Sequence, residues 1–194
     1  ILGGKVKIRP DENEISKAVN DFKEFLDMVS KLTVFQKLNK GIKPSKLRAF
    51  PKDKEGQEDN EGHLLMRPIG QQILADATGK LVGQGHKLDD IFSRLEKIEK
   101  EGHFNAYKPK SIFYGITYKI DKGTIIWDPA TQKFASELLS YLLHEKLDTD
   151  EMNALMTKIV EKRTVPLDED KWIDFNGDQK LKSEVDYLIL PKSP

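Results

Sequence analysis

Apolar residues at Ile15, Val19, Phe22, Leu26 and Val29 recur at three- and four-residue spacing, with lysines and carboxylates between them. That period predicts an amphipathic helix running from about residue 11 into the high thirties. Its start is marked just after Pro10, where Asp11 and Glu14 stand at capping-box spacing. A stripe of this kind has to face something. Packing on the chain's own core is preferred to docking on a partner.

The pattern then changes several times. Gly41, Pro44, Pro51 and Gly56 punctuate a lysine-rich and then acidic stretch, which predicts a mobile surface loop over about 39–61. Pro68 suits a first helical turn, and Ile69, Ile73, Leu74, Ala77 and Leu81 carry a buried face until Gly83 and Gly85. Leu88, Ile91, Leu95 and Ile98 mark a further helix, opened by Asp89-Asp90 and stopped at Gly102. After Pro109 the period becomes two: Ile112, Tyr114, Ile116 and Tyr118 alternate, Asp121-Lys122-Gly123 turns, and Thr124 to Trp127 resume extended sequence. This predicts a β-hairpin over about 112–127, closed by Asp128-Pro129. Phe134, Leu138, Leu139, Leu142 and Leu143 begin another helix. A last one, capped by Asp148 or Thr149, carries Met152, Leu155, Met156, Ile159 and Val160. Beyond Pro166, Trp172 to Phe175 and Val185 to Leu190 read as short strands. The fold class is mainly α with a small β component (α+β). Residues 1–165 form a mainly helical domain and 166–194 a C-terminal extension.

Composition narrows the function. The chain has 194 residues, 33% charged and 38% hydrophobic, enough for one good core. Lys+Arg and Asp+Glu both number 32, which argues against a generic nucleic-acid coat, since that relies on an excess of cations. A local basic patch is still present in Lys37, Lys40, Lys43, Lys46 and Arg48. A solvated loop is the default reading of it, and contact with DNA phosphates the alternative. No cysteine occurs, so disulfides and thiolate metal sites are excluded. That fits a reducing cytoplasm, and no apolar run approaches the roughly 18 residues of a membrane span. With Ile first and no signal-peptide pattern, the chain reads as cut from a longer polypeptide.

Motifs of catalysis are missing. The four histidines lie on different elements, and after His144-Glu145 the position that would need a second histidine holds Asp148. Two imidazoles one helical turn apart are required for that zinc motif, so no metal is expected. Asp174-Phe175-Asn176-Gly177-Asp178 places oxygens at alternate positions, as calcium loops do. The twelfth position, however, is Val185 and the turn glycine is replaced by Gln179, so a plain Asn-Gly turn is preferred. Phosphate-cradling glycine loops, a nucleophile elbow and a cysteine nucleophile are all absent. No catalytic residue and no cofactor are expected.

Two segments carry a resemblance. His63-Leu64-Leu65-Met66-Arg67-Pro68-Ile69-Gly70-Gln71 resembles a stretch in the C-terminal part of DGQHR-domain proteins. Thr124-Ile125-Ile126-Trp127-Asp128-Pro129, followed by Lys133 and a leucine-rich helix, resembles a second one, in the same order and at similar spacing. The helix start at Lys7-Ile8-Arg9-Pro10 is also similar, so the likeness covers roughly residues 5–147. The naming pentapeptide Asp-Gly-Gln-His-Arg is absent, and the tryptophan that usually opens the second motif is replaced near Phe113-Tyr114-Gly115. The resemblance implies a protein of DNA-phosphorothioation or related DNA-modification defence loci, in a family whose best-known members are DNA-binding transcriptional regulators. The N-terminal half of these relatives is likened to the ParB/sulfiredoxin fold, and some of them are suggested to hydrolyse nucleotides. Partners implied are DNA and other DNA-modification or defence proteins. Two classes then compete: a helical scaffold or DNA-contacting domain, and a protein-interaction module without DNA affinity. A third is the non-catalytic part of a nucleotide-hydrolysing enzyme.

The motif residues Arg67, Pro68, Gly70, Gln71, Trp127, Asp128 and Pro129 are read first as structure. A cation at a helix start needs an anionic partner, so Arg67 is expected to bind a carboxylate such as Asp128, or a phosphate. Trp127 is expected to be buried between the hairpin and the helix after it.

Overall fold

In the computed structural model, the described residues are 10–51, 60–108, 111–119, 122–143, 147–163, 165–166, 171–173 and 179–181. The segments Asp174–Asp178 and Val185–Leu190, and His144 with Glu145, lie outside them. The fold is mostly helical with small antiparallel strands, the α+β class read from the sequence.

Asp11 and Glu14 do form the capping box. The Glu14 N–H donates to Asp11 Oδ1 at 2.8 Å and the Asp11 N–H to Glu14 Oε2 at 2.9 Å. Helix α1 (Glu12–Ser30) starts there but stops well before the high thirties. Leu32 takes extended backbone and is fully buried, and α2 (Thr33–Asn39) begins beyond it with Val34 also buried. The predicted single helix is thus broken in two, because the bend lets Leu32 and Val34 reach the core. Four of the five stripe residues on α1, Ile15, Val19, Phe22 and Leu26, are exposed. Only its C-terminal half, through Phe25, Met28 and Val29, meets the core. Packing on the chain's own core therefore accounts for one end of α1 and not the stripe.

The segment expected as a mobile loop contains α3 (Pro44–Arg48), whose Leu47 is fully buried. The returning chain satisfies the end of this helix: Glu61, Gly62 and His63 donate N–H groups to the carbonyls of Lys46, Ala49 and Leu47 at 3.1, 2.8 and 2.8 Å. Leu64–Met66 make one 3-10 turn, and α4 (Pro68–Gly83) and α5 (Leu88–Lys100) follow.

The predicted hairpin is shorter than 112–127. Strands β1 (Tyr118–Lys119) and β2 (Thr124–Ile125) pair antiparallel, Tyr118 opposite Ile125 and Lys119 opposite Thr124. Residues 111–117 instead form successive turns, closed by local bonds such as Tyr114 N–H to Ser111 O and Ile116 N–H to Phe113 O. All seven are buried, so this stretch has no solvent face for an alternating strand to show. Helix α6 (Pro129–Leu143) packs mainly on α4. Its Ser136 and Ser140 hydroxyls donate to carbonyls one turn back, at 3.0 and 2.9 Å, so small polar residues lie buried without orphaned groups. Helix α7 (Thr149–Arg163) is capped by Asp148, which exchanges bonds with Glu151 as a second capping box. A three-stranded antiparallel sheet of β3 (Val165–Pro166), β4 (Lys171–Ile173) and β5 (Gln179–Leu181) completes the described elements.

The core runs through Ile69, Ile73, Ala77 and Leu81 of α4, Ile91, Phe92 and Leu95 of α5, and Phe134, Leu138 and Leu139 of α6. Phe104 and Phe113, their ring centroids 5.5 Å apart, are buried in the same core. Among the described residues no helix is long and apolar enough to cross a membrane.

Candidate nucleic-acid interface

The basic residues sit on the corner made by α2, α3 and the turn between them. Lys37 lies in the last turn of α2 and pairs with Glu61 at 2.6 Å. Lys40 caps α2, Lys43 precedes α3, and Lys46 and Arg48 occupy its last turn, all four exposed. Cations in a last turn are also favoured by the helix dipole, which gives Lys46 and Arg48 a structural reason to be there.

Arg67 joins this corner from the other motif. It caps α4, and its guanidinium donates to the Arg48 carbonyl at 2.7 Å and lies over the Phe50 ring at 4.6 Å. The expected carboxylate partner is not what it meets among the described residues, and Asp128 is engaged elsewhere. Burial first, and the Arg48 charge second, lower the Arg67 pKa from its ordinary value. The two candidate sets, taken separately in the sequence, thus converge at Arg48 and Arg67. Phe50 is held in place by Tyr107 and Tyr118, with ring centroids 5.8 and 5.1 Å away. Gly62 lets these rings close in: with φ +58°, a Cβ there would stand 2.6 Å from both the Phe50 and Tyr107 rings.

The rest of the first motif is accounted for by packing. Pro68 occupies the first turn of α4, and the Gln71 amide donates back to the Leu65 carbonyl at 3.2 Å. Gly70 is buried where a Cβ would lie 2.1 Å from the Leu64 carbonyl oxygen, so only glycine lets the 3-10 turn rest on α4. In the second motif Asp128 caps α6. Its carboxylate accepts from the Thr131 N–H at 2.7 Å and the Thr131 hydroxyl at 2.8 Å, and Pro129 takes the first helical position. Trp127 departs from expectation: it is 62% exposed rather than buried. The strand before it ends at Ile125, and the backbone contact of Ile126 with Thr117 is the last tie to the hairpin before the cap at Asp128.

Sequence reasoning missed Glu99. This buried carboxylate reaches from α5 to the start of α2 and accepts from the N–H groups of Thr33 and Val34 at 2.7 and 2.8 Å. Helix α2 has no cap of its own, so the cap comes from 65 residues away. A signal was available: Glu99 stands four residues after Leu95, where the period of α5 calls for an apolar side chain. His63, also buried, stacks on Phe104 and places Nε2 3.6 Å from Glu99. Burial, with Lys37 adding to it, lowers the His63 pKa to about 3, so the ring is neutral near pH 7.

Elsewhere, α4 and α6 border an open groove of about 430 Å³ lined by Asp76, Lys80, Gln132, Lys133 and Glu137. Its mixed charges select no ligand sign. Among the described residues no group of three or more His, Asp or Glu side chains is placed to hold a metal. Compared with known proteins, the chain matches no family model, no curated protein and no solved structure.

Proposed function

We propose that this chain is the helical, DNA-contacting part of a DNA-modification-associated regulator, and that DNA lies against the α2–α3 corner. One observation carries the reading. Lys40, Lys43, Lys46 and Arg48 are exposed on one corner, and among the described residues Arg67 is held beside Arg48 by a carbonyl and a ring instead of a carboxylate. A duplex phosphate supplies the negative charge such a corner attracts. The motif likeness to DGQHR-domain proteins points to the same class of partner.

An electrophoretic shift with duplex DNA at moderate salt tests this. The chain is expected to retard DNA, and alanine at Lys40, Lys43, Lys46 and Arg48 together to abolish the shift. Absence of any shift, or a shift untouched by the fourfold change, overturns the reading. A protein-interaction module without DNA affinity is the second reading, favoured by the exposed apolar stripe of α1. It stands if the chain leaves DNA unshifted while charge placed on that stripe abolishes a protein contact.

A further inference from the structure

The stripe on α1 has a pattern of its own. Ile15, Val19, Phe22 and Leu26 are 49%, 60%, 61% and 46% exposed. The adjacent face of the same helix is anchored: Phe25 meets Phe92 edge-on at 5.9 Å, and Met28 and Val29 pack on the core. The exposed steps are four, three and four residues, the alternation of a coiled-coil seam. Read in reverse they are identical.

That symmetry selects an occupant. Two α1 helices laid antiparallel about a twofold axis between Val19 and Phe22 bring Ile15 against Leu26 and Val19 against Phe22, each pair occurring twice. One patch meeting its own copy in this way is an isologous contact, the commonest closed assembly. One layer sets the small β-branched Val19 against the larger Phe22, and the other sets β-branched Ile15 against Leu26, its isomer of equal volume. On the open flank Lys23 comes beside Ser16 of the other copy, so no like charges meet, and the opposed helix dipoles also favour the antiparallel sense. With both copies and flanking residues counted, the contact buries on the order of 1,000 Å², at the lower bound for a specific interface. We infer that α1 is a self-association helix that pairs antiparallel with a second copy of this chain, in a weak and reversible dimer.

Sedimentation equilibrium of the full 194-residue chain across roughly 1–200 μM tests this, a range that brackets a micromolar Kd. The wild type is expected to dimerise with rising concentration. Val19→Glu is expected to stay monomeric throughout with an unchanged Tm. The chain has no native cysteine, which allows a check on register. Ile15→Cys and Leu26→Cys are expected to form an oxidised dimer when mixed, and neither to do so alone. A wild type that remains monomeric overturns the inference. In that case a drop in Tm on Val19→Glu assigns the stripe to another segment of the same chain, and no drop leaves it to a different protein. A dimer that survives Val19→Glu, or single-cysteine variants that cross-link alone, also overturns it.

Discussion

A single methyl group separates two glycines of α4 that look alike in the sequence. At Gly70 an added Cβ meets the Leu64 carbonyl, whereas at Gly79 nothing lies within 4 Å. Gly70→Ala is expected to cost about 3 kcal/mol, and Gly79→Ala to stabilise by about 0.5 kcal/mol through the helix preference of alanine. Urea midpoints of the two variants check the contrast. His63 gives a pH dependence of definite sign. Its folded pKa lies below that of the unfolded chain, so the unfolded state takes up the proton first. The stability contributed by neutral His63 is complete above about pH 6.5 and is lost as pH falls toward 3. His63→Phe is expected to flatten stability by about 1 kcal/mol per pH unit between pH 6 and 4, read from urea midpoints along that range. At this scale the sequence showed which residue types stood out but not their surroundings. Arg67 was legible as a cation in need of a partner, yet that partner, the Arg48 carbonyl with the Phe50 ring, is set by a chain return that no local pattern encodes.

Elements with their own start signals were the most legible. Asp11 with Glu14 and Asp148 with Glu151 each begin a helix where the sequence places one, because a cap acts within four residues, whereas Asp128 with Pro129, expected only to close the hairpin, also starts α6 five residues ahead of Phe134. Asp128→Ala is accordingly expected to cost about 1 kcal/mol. Trp127→Ala, one residue earlier but exposed, should fall within about 0.5 kcal/mol of wild type. Thermal melts of the pair separate the cap from the ring. The break between α1 and α2 was not legible, since the cap that permits it comes from Glu99. Removing that carboxylate by Glu99→Ala leaves two N–H groups unsatisfied and is expected to cost about 2 kcal/mol. The turns at 111–117 escaped for another reason: an alternating pattern implies a strand only where one face meets water, and here neither does.

For the whole molecule, equal numbers of cations and anions conceal an uneven distribution. Six cations, Arg67 included, gather at one corner, while the exposed part of α1 carries Glu12, Glu14, Asp21, Glu24 and Asp27 against Lys17 and Lys23. If the corner holds DNA, the logarithm of affinity should fall with the logarithm of salt by about 0.9 per phosphate contact. Alanine at Lys43 and Arg48 should then reduce that slope by nearly two, measured by fluorescence anisotropy at several salt concentrations. Net charge predicts none of this, because steering depends on where charge sits. The distant cap on α2 bears finally on the order of folding. Helix α2 is too short to persist alone, and its N–H groups wait for a carboxylate 65 residues downstream. The α2 side of the basic corner is therefore expected to be fixed late, once α5 has been synthesised and docked. A nascent chain ending before Glu99 carries the same lysines but lacks the carboxylate that caps the helix bearing Lys37.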